Sequence, residues 1–199
     1  MKLVTYLAGS IQAADECGTV WRDKLTPKLE ALGVTVQDPC KSECNKVYGQ
    51  TIVQSREQIR KLKRSGNWEK FDEHMREIIR DDLKQVNEAN FLVVYWNQDY
   101  RHGGTVHEIA HAWSLHIPVY LVNYDALTGD KEMNDWVLCL VRQNGQVFSN
   151  FGQLVDFIQD KYKNELKEIM KERDEAAKLL KATAEDKSQG DRESKDEKK

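Results

Sequence analysis

The sequence lacks the features that would place it in several well-known classes of protein. It contains no Gly-x-Gly-x-x-Gly fingerprint and no P-loop, so dinucleotide binding and ATP hydrolysis lack support. No apolar run approaches the roughly 18–20 residues that a membrane-spanning helix needs. The net charge of −3 shows no basic excess, which disfavours a general nucleic-acid-binding protein.

Cysteine is also scarce, since the chain of 199 residues has only four. So few cysteines fit a reducing compartment, and Cys40 and Cys44 are more simply explained as free thiols than as half of a metal site. Residues 3–8 form only a short apolar run, which predicts a first β-strand rather than a signal peptide. We therefore predict a cytoplasmic protein.

What the sequence does contain is an alternation of short apolar runs and amphipathic stretches. With 40% hydrophobic residues the chain can bury one core. Residues 91–96 are almost uninterruptedly apolar, as in a strand buried on both faces. A helix from about residue 106 and a strand at 118–122 follow, and such β-α-β units form parallel sheets. We predict a single α/β domain with a doubly wound, mostly parallel central sheet of about five strands, flanked by helices.

The remaining elements are predicted from the spacing of apolar residues and from start and stop signals. Further strands are predicted at residues 3–8, 34–36 and 136–141, and further helices at 21–32, about 52–62, 68–88 and 151–180. From residue 184 onward the sequence is almost purely charged or small and polar, which is typical of a disordered segment. We therefore predict an α/β domain with a C-terminal helix over 1–182 and a disordered charged tail over 183–199.

The most informative motif lies at residues 102–113 (HGGTVHEIAHAW). It contains His107-Glu108-x-x-His111, the pattern of zinc proteases. Histidines four residues apart share one face of a helix and could both bind zinc, while Glu108 would activate a water molecule. The motif therefore predicts chemistry at Glu108, and its setting decides which chemistry.

Two observations weaken the zinc interpretation. The third ligand is undefined, since Glu132 and Asp135 are candidates without a signature. The loop between a buried strand and the next helix is also where doubly wound sheets bind ligands. A purely structural alternative is a capping box, with Thr105 as the N-cap and Glu108 as the third helical residue. In either case the two histidines are more simply explained as packing residues.

Four segments occur in an order that is typical of one enzyme family. They are residues 6–10 (YLAGS), 82–90 (DLKQVNEAN) with the apolar strand that follows, 104–112 (GTVHEIAHA) and 117–122 (IPVYLV). By these segments, and by the separation of Asp82 from Glu108, roughly residues 2–136 resemble the nucleoside 2-deoxyribosyltransferase family. The resemblance includes the relatives that hydrolyse deoxynucleoside monophosphates.

The resemblance implies a carboxylate mechanism that needs no metal and no cofactor. Glu108 would attack the anomeric carbon of a 2-deoxyribosyl group and form a covalent ester through an oxocarbenium-like transition state. Asp82 would protonate or position the leaving base; the structural alternative is a solvated helix residue beside Asp81. Attack by a second base would complete a transfer, and attack by water would complete a hydrolysis.

Other functions remain open at this point. The closest is an N-glycosidase that hydrolyses a nucleoside or a nucleoside 5′-monophosphate. From other classes, the alternatives are a zinc-dependent hydrolase that uses the HExxH pattern and a non-catalytic nucleotide-binding module.

The resemblance also implies a set of substrate-binding residues: Tyr6, Gly9, Ser10, Trp96, Asp99, His102, Gly104 and Asn134. His102 stands six residues before Glu108, where the family often has an aspartate, so Asp99 could substitute or His102 could itself be the acid. Ser10 corresponds to a phosphate contact in the hydrolysing relatives, and a turn serine is the structural alternative. Trp96 would stack on the base or pack in the core.

The expected partners follow from the same resemblance. They are a small-molecule nucleoside or nucleotide substrate and a free nucleobase, with neither nucleic acid nor membrane. Asn134 resembles a family residue that reaches into a neighbouring subunit's site, so we expect a homo-oligomer, a dimer or larger.

Overall fold

The computed structural model describes residues 2–12, 14–42, 50–123 and 133–196. Its strands are β1 (Val4–Gly9), β2 (Thr35–Gln37), β3 (Phe91–Trp96), β4 (Val119–Asn123) and β5 (Gly145–Phe148). Its helices are α1 (Thr19–Ala31), α2 (Ile52–Arg64), α3 (Trp68–Glu88), α4 (Gly103–Ser114), α5 (Asp135–Asn144), α6 (Phe151–Lys161) and α7 (Lys163–Asp196). No helix in these ranges is both long and apolar enough to cross a membrane.

The strands form one sheet in the order β2-β1-β3-β4-β5, and every neighbouring pair is parallel. From β1 the chain first adds β2 on one side and then crosses to add β3, β4 and β5 on the other side. The direction of strand addition therefore reverses between β1 and β3. Helices cover both faces of the sheet. The predicted doubly wound α/β fold is confirmed, and the carboxyl ends of β1 and β3 meet at the edge where such folds bind ligands.

The two faces of the sheet bury separate cores. The α6 face, covered by α1, α6 and the start of α7, buries a cluster that includes Leu7, Leu25, Phe91, Tyr120 and Leu154. The α4 face, covered by α3, α4 and α5, buries a cluster that includes Tyr6, Leu92, Ile109, Leu121 and Val137. The side chains of a strand alternate between faces, so Tyr6 and Leu7 enter different cores.

Helices α2 and α3 form a hairpin outside the α4 face. Thr51 and Gln54 cap the start of α2 reciprocally. The link to α3 is only residues 65–67, with Gly66 at φ +71°, a backbone conformation that glycine adopts without steric cost. Ile59 of α2 packs against Ile78 of α3. This contact sets which residues of the two helices lie opposite each other.

The last strand and the helix before it differ from the sequence prediction. Residues 136–141 were predicted as a strand, but they lie in α5. Their buried members Val137, Leu140 and Val141 have helical spacing, and a short apolar run does not distinguish a buried strand from a buried helix. The fifth strand is β5, whose Gly145 lies against Val119 so closely that a Cβ atom would collide with that backbone.

The C-terminal region also differs from its prediction. The single helix predicted over 151–180 is two helices, α6 and α7, separated at Tyr162. The backbone of α7 continues to Asp196. The division into a domain over 1–182 and a disordered charged tail over 183–199 stays a prediction.

Candidate active site

Glu108 lies in the second turn of α4, and its side chain meets the central strand β1. The Tyr6 hydroxyl donates a hydrogen bond of 2.8 Å to Glu108 Oε1. Helix α4 begins at Gly103 with His102 as N-cap, and Thr105 is buried inside the first turn. The capping box predicted from Thr105 and Glu108 is therefore wrong, because the helix starts three residues earlier and leaves the Glu108 carboxyl for Tyr6.

The electrostatic environment of Glu108 favours its neutral form. Burial, followed by the charge of Asp82, raises the pKa of Glu108 to about 7, against lowering effects from the Tyr6 hydrogen bond and Arg22. The pKa of Tyr6 is raised by burial and then by the charges of Glu108 and Asp82. Strand β1, helix α3 and helix α4 thus bring one tyrosine and two carboxyl groups together, and a carboxyl with a pKa near neutrality is typical of functional sites.

The structure distinguishes Asp82 from its neighbour Asp81. Asp81 accepts hydrogen bonds from the Ser42 hydroxyl and from Gln85 Nε2, the latter at 2.9 Å. These contacts hold the segment after β2 against α3. Asp82 instead acts electrostatically on Tyr6 and Glu108. The sequence alone could not separate two adjacent aspartates on one helix.

His102 closes the loop between β3 and α4. Its Nε2 lies 2.6 Å from the carbonyl oxygen of Asn97, and since a carbonyl only accepts, Nε2 carries the proton. The ring stacks on Trp96 at 3.9 Å between centroids. Burial lowers the pKa of His102, so the ring is neutral at pH 7 with Nδ1 bare. This geometry favours a role in holding the loop over the predicted role as acid.

The other predicted residues of this loop are more exposed. The backbone N–H of Asp99 donates to Asn97 Oδ1 at 2.9 Å, and the Asp99 side chain is exposed. Gly104 is exposed in the first turn of α4, and an added Cβ atom would meet nothing within 4 Å. Trp96 is buried in the core of the α4 face. The predicted substrate contacts of these residues stay predictions.

The loop after β1 is held by an arginine that the sequence analysis missed. Arg22 is fully buried, and its guanidinium donates to the carbonyl oxygens of Gly18, Leu7 and Gly9 at 2.9, 3.2 and 3.1 Å. Its Nε lies 3.5 Å from Asp38 Oδ1. An arginine in an amphipathic helix looks solvent-exposed in a sequence, so only the fold shows that it positions this loop.

Gly9 and Ser10 lie within the same loop. A Cβ atom on Gly9 would stand 3.0 Å from the Trp21 ring and 3.2 Å from the Tyr95 carbonyl oxygen, so only glycine fits comfortably. The Ser10 hydroxyl donates to the carbonyl oxygen of Arg101 at 3.1 Å. This bond joins the loop after β1 to the loop after β3, which is the role of a structural serine in this state.

Two cavities near these elements do not contain Glu108. One of about 490 Å³ lies at the carboxyl edge of the sheet on the α6 face, lined by Ser10, Trp21, Tyr95, Phe151 and other residues. A more open groove of about 880 Å³ runs along α3 to His111. Neither is lined by Tyr6, Asp82 or Glu108, so the carboxyl cluster itself, rather than either cavity, marks the candidate site.

The described residues do not assemble a zinc site around the HExxH pattern. His111 Nε2 pairs with Asn87 Oδ1 at 2.7 Å, whereas Glu108 faces Tyr6. In the described ranges no three His, Cys, Asp or Glu side chains cluster closely enough to hold a metal ion. Of the two candidates for a third ligand, Asp135 is exposed at the start of α5 and Glu132 lies outside the described residues, as does Cys44 of the predicted thiol pair.

Asn134 has a local role in its own chain. Its Oδ1 accepts from the backbone N–H groups of Trp136 and Val137 at 3.1 and 3.3 Å, and so caps α5. The residue is exposed, as is the Trp136 side chain, which keeps 72% of its surface accessible. The predicted reach of Asn134 into a neighbouring subunit stays a prediction.

Comparison with known proteins places the fold beside a deoxyribosyltransferase. No protein-family model and no curated protein matches the sequence. A conserved protein from Enterococcus faecalis V583 superposes with a TM-score of 0.57 at 16% identity, covering 81% of this chain and 99% of its own. A 2-deoxyribosyltransferase from Bacillus psychrosaccharolyticus superposes with a TM-score of 0.52 at 18% identity, covering 76% and 90% respectively. At these identities the likeness concerns the fold.

Proposed function

We propose that the protein is a nucleoside 2-deoxyribosyltransferase, which cleaves the N-glycosidic bond of a 2′-deoxynucleoside and transfers the sugar to another base. The observation that carries this proposal is the half-buried Glu108 carboxyl, which accepts a hydrogen bond from the Tyr6 hydroxyl and has its pKa raised by the charge of Asp82. It lies in a doubly wound fold that resembles a 2-deoxyribosyltransferase. The substrates are thus a small nucleoside and a free nucleobase, and no metal or cofactor takes part.

The first half of the reaction forms a bond between Glu108 and the sugar. After losing its proton, the carboxylate attacks C1′ of the deoxyribosyl group while the bond from C1′ to the base nitrogen breaks. The base leaves with that electron pair and takes up one proton, equal to the one that Glu108 gave up. Asp82 would position the leaving base, and its negative charge would also stabilise the oxocarbenium-like transition state.

The second half restores the enzyme. A nitrogen of the incoming base attacks C1′, the ester bond to Glu108 breaks, and the new nucleoside releases the proton of the attacking nitrogen. Water in place of the second base would give free sugar, which is the N-glycosidase outcome. Tyr6 supports both halves because its hydroxyl donates to the carboxylate that attacks and later leaves.

The decisive experiment is mass spectrometry of the protein after incubation with a panel of 2′-deoxynucleosides. We expect a deoxyribosyl adduct on the peptide that contains Glu108, and exchange of the sugar when a second base is added. Glu108→Gln is the control and should carry no adduct. Full activity of Glu108→Gln would overturn the proposal, and neither exchange nor free base across the panel would favour a binding module.

A further inference from the structure

Arg56 lies on the side of α2 that faces the rest of the molecule. Its neighbour Ser55 is fully buried. Ile52, one helical turn before Arg56, packs against Cys17 and Cys40. Ile59, three residues after it, packs against α3. Arg56 therefore stands between two packed residues, and its side chain is half-buried rather than solvated.

The register of the α2–α3 hairpin places Arg56 level with Asp82. The two helices run antiparallel, because their link is only residues 65–67. Ile59 meets Ile78. Arg56 lies three residues before Ile59 and Asp82 four residues after Ile78, so each is about one turn from that contact in the same direction.

The charges of the two residues agree with this placement. Burial lowers the pKa of Arg56, and the carboxylate of Asp82 is the strongest of the charges that oppose this lowering. A buried cation is tolerated when an anion pairs with it. The second carboxyl group in this region is Glu108, whose pKa is raised by burial and then by the charge of Asp82. Asp82 therefore interacts electrostatically with both Arg56 and Glu108.

We propose that Arg56 is a positioning residue that keeps Asp82 ionised and oriented beside Glu108. The inference rests on the proposed function for its kinetic consequence and deepens it by assigning the roles of the two carboxyl groups. Asp82 acts as a fixed anion that positions the base and stabilises positive charge on the sugar. Glu108 is then the group that must lose its proton, so activity rises with pH as Glu108 ionises.

The groups that bear on this pH dependence come from five elements. They are Tyr6 from β1, Arg22 from α1, Arg56 from α2, Asp82 from α3 and Glu108 itself from α4. Only Arg56 and Arg22 among them are permanent cations. Arg22 is already bonded to three carbonyl oxygens and to Asp38. Removing Arg56 therefore removes the permanent cation that the hairpin register places level with Asp82.

The test compares Arg56→Gln and Arg56→Lys with the full-length wild-type protein. In Arg56→Gln, the pKa for the last proton of the Asp82 and Glu108 pair should rise by about one unit. An adjacent cation favours the ionised form of a carboxyl by about that amount, and the variant lacks it. Base exchange should fall about tenfold on the acidic side of the profile and less than about twofold near pH 9. Arg56→Lys should restore most of this loss. Arg64→Gln, which removes an exposed charge from the end of the same helix, should leave the profile unchanged.

A second measurement does not depend on activity. Carboxyl ¹³C NMR of protein labelled in Asp and Glu follows the titration without substrate, and a double-mutant cycle with Asp82→Asn tests the route. In the Asp82→Asn background, Arg56→Gln should have no further effect on the Glu108 titration. This comparison stays informative even if Arg56→Gln alone does not fold.

The outcomes separate this inference from the proposed function. A wild-type protein without base exchange, but with a carboxyl titration that Arg56→Gln moves upward, refutes the proposed function and supports the role of Arg56. If the carboxyl groups titrate at the same pH in wild type and in Arg56→Gln, the proposed role of Arg56 is wrong. It is also wrong if Arg56→Gln shifts the Glu108 titration as much in the Asp82→Asn background as it does in wild type. A loss of activity by the same factor at every pH would show a merely structural residue.

Discussion

Tyr6 and Tyr120 are both fully buried tyrosines of the central sheet, but they face opposite sides of it. Tyr6 donates its hydroxyl to the Glu108 carboxyl on the α4 face. Tyr120 shares a hydrogen bond of 2.9 Å with the Tyr162 hydroxyl on the α6 face. The rings of Phe91, Phe148 and Phe157 surround it. One hydroxyl thus meets an ionisable group, and the other meets a neutral one.

The two faces of the sheet therefore differ around these tyrosines. The Tyr120 side is a neutral, packed core, whereas the Tyr6 side borders a carboxyl group whose ionisation is disfavoured. On the α6 face, aromatic and aliphatic burial stabilises the fold around Tyr120, and the pair of Tyr120 with Tyr162 is neutral. On the α4 face, the core around Tyr6 borders a carboxyl whose pKa is raised to about 7. Ionising that carboxyl in the folded protein works against stability.

The largest effect should come from Glu108→Gln, which removes the proposed nucleophile and keeps an oxygen to accept from Tyr6. We expect base exchange to fall by a factor on the order of a thousand or more, since loss of a nucleophile removes the covalent route. Asp156→Asn, an exposed carboxyl on α6, is the matched control and should retain full activity. If Glu108→Gln keeps its base-exchange activity, the α4 face does not carry the catalytic carboxyl and the proposed functional difference between the two faces is wrong.

The tyrosine pair provides the most direct test of the comparison. Tyr6→Phe should lower base exchange about 10- to 100-fold and shift the acidic limb of the profile to higher pH, because the Tyr6 hydrogen bond lowers the Glu108 pKa. Tyr120→Phe should change exchange less than about twofold. Both should lose about 1 kcal/mol of unfolding free energy, measured by urea denaturation. Equal losses of activity in the two variants would contradict the assignment.

The stability of Glu108→Gln should depend on pH in a defined direction. The folded pKa of Glu108 is about 7 against an ordinary value of 4.5, so between these values the unfolded chain binds fewer protons and wild-type stability falls as pH rises. Glutamine has no such penalty. Relative to wild type, the variant should gain about 1–3 kcal/mol above pH 7 and almost nothing near pH 4. A gain in unfolding free energy that is the same at every pH would contradict the raised pKa of Glu108.

The smallest effects should come from the zinc pattern. His107→Ala and a strong chelator should each change base exchange less than about twofold, since the proposed mechanism uses carboxyl groups and no metal-bound water. The chelated and untreated enzymes are compared on the same deoxynucleoside. Inactivation by the chelator with recovery on adding zinc would restore the HExxH interpretation.

Some elements could be predicted to the residue from the sequence. The apolar run of β3 and the amphipathic pattern of α3 match the observed bounds, since long or uninterrupted patterns leave little ambiguity. The segment 136–141 could not be assigned, because its spacing fits both strand and helix. The capping box failed for a similar reason, since Thr105 and Glu108 satisfy a local rule in a helix that starts earlier.

The site was only partly predictable. Glu108 entered through the HExxH motif and the resemblance, and Asp82 through the resemblance; their electrostatic proximity to each other and to Tyr6 required the fold. Arg22 and Arg56 carried no signal at all, because an arginine on an amphipathic helix is usually solvated. Whether His102 is an acid or holds a loop likewise depends on the carbonyl of Asn97, a partner that no spacing rule identifies.

The sequence by itself determined the class of fold, because alternating apolar runs and helical stripes can be buried only by a sheet with helices on both faces. It also singled out Glu108. The tertiary structure decided what kind of group Glu108 is, since its burial, its bond to Tyr6 and the charge of Asp82 come from three distant segments. The proton affinity of a carboxyl group depends on the groups that surround it in space, and the order of residues along the chain does not reveal which groups these are.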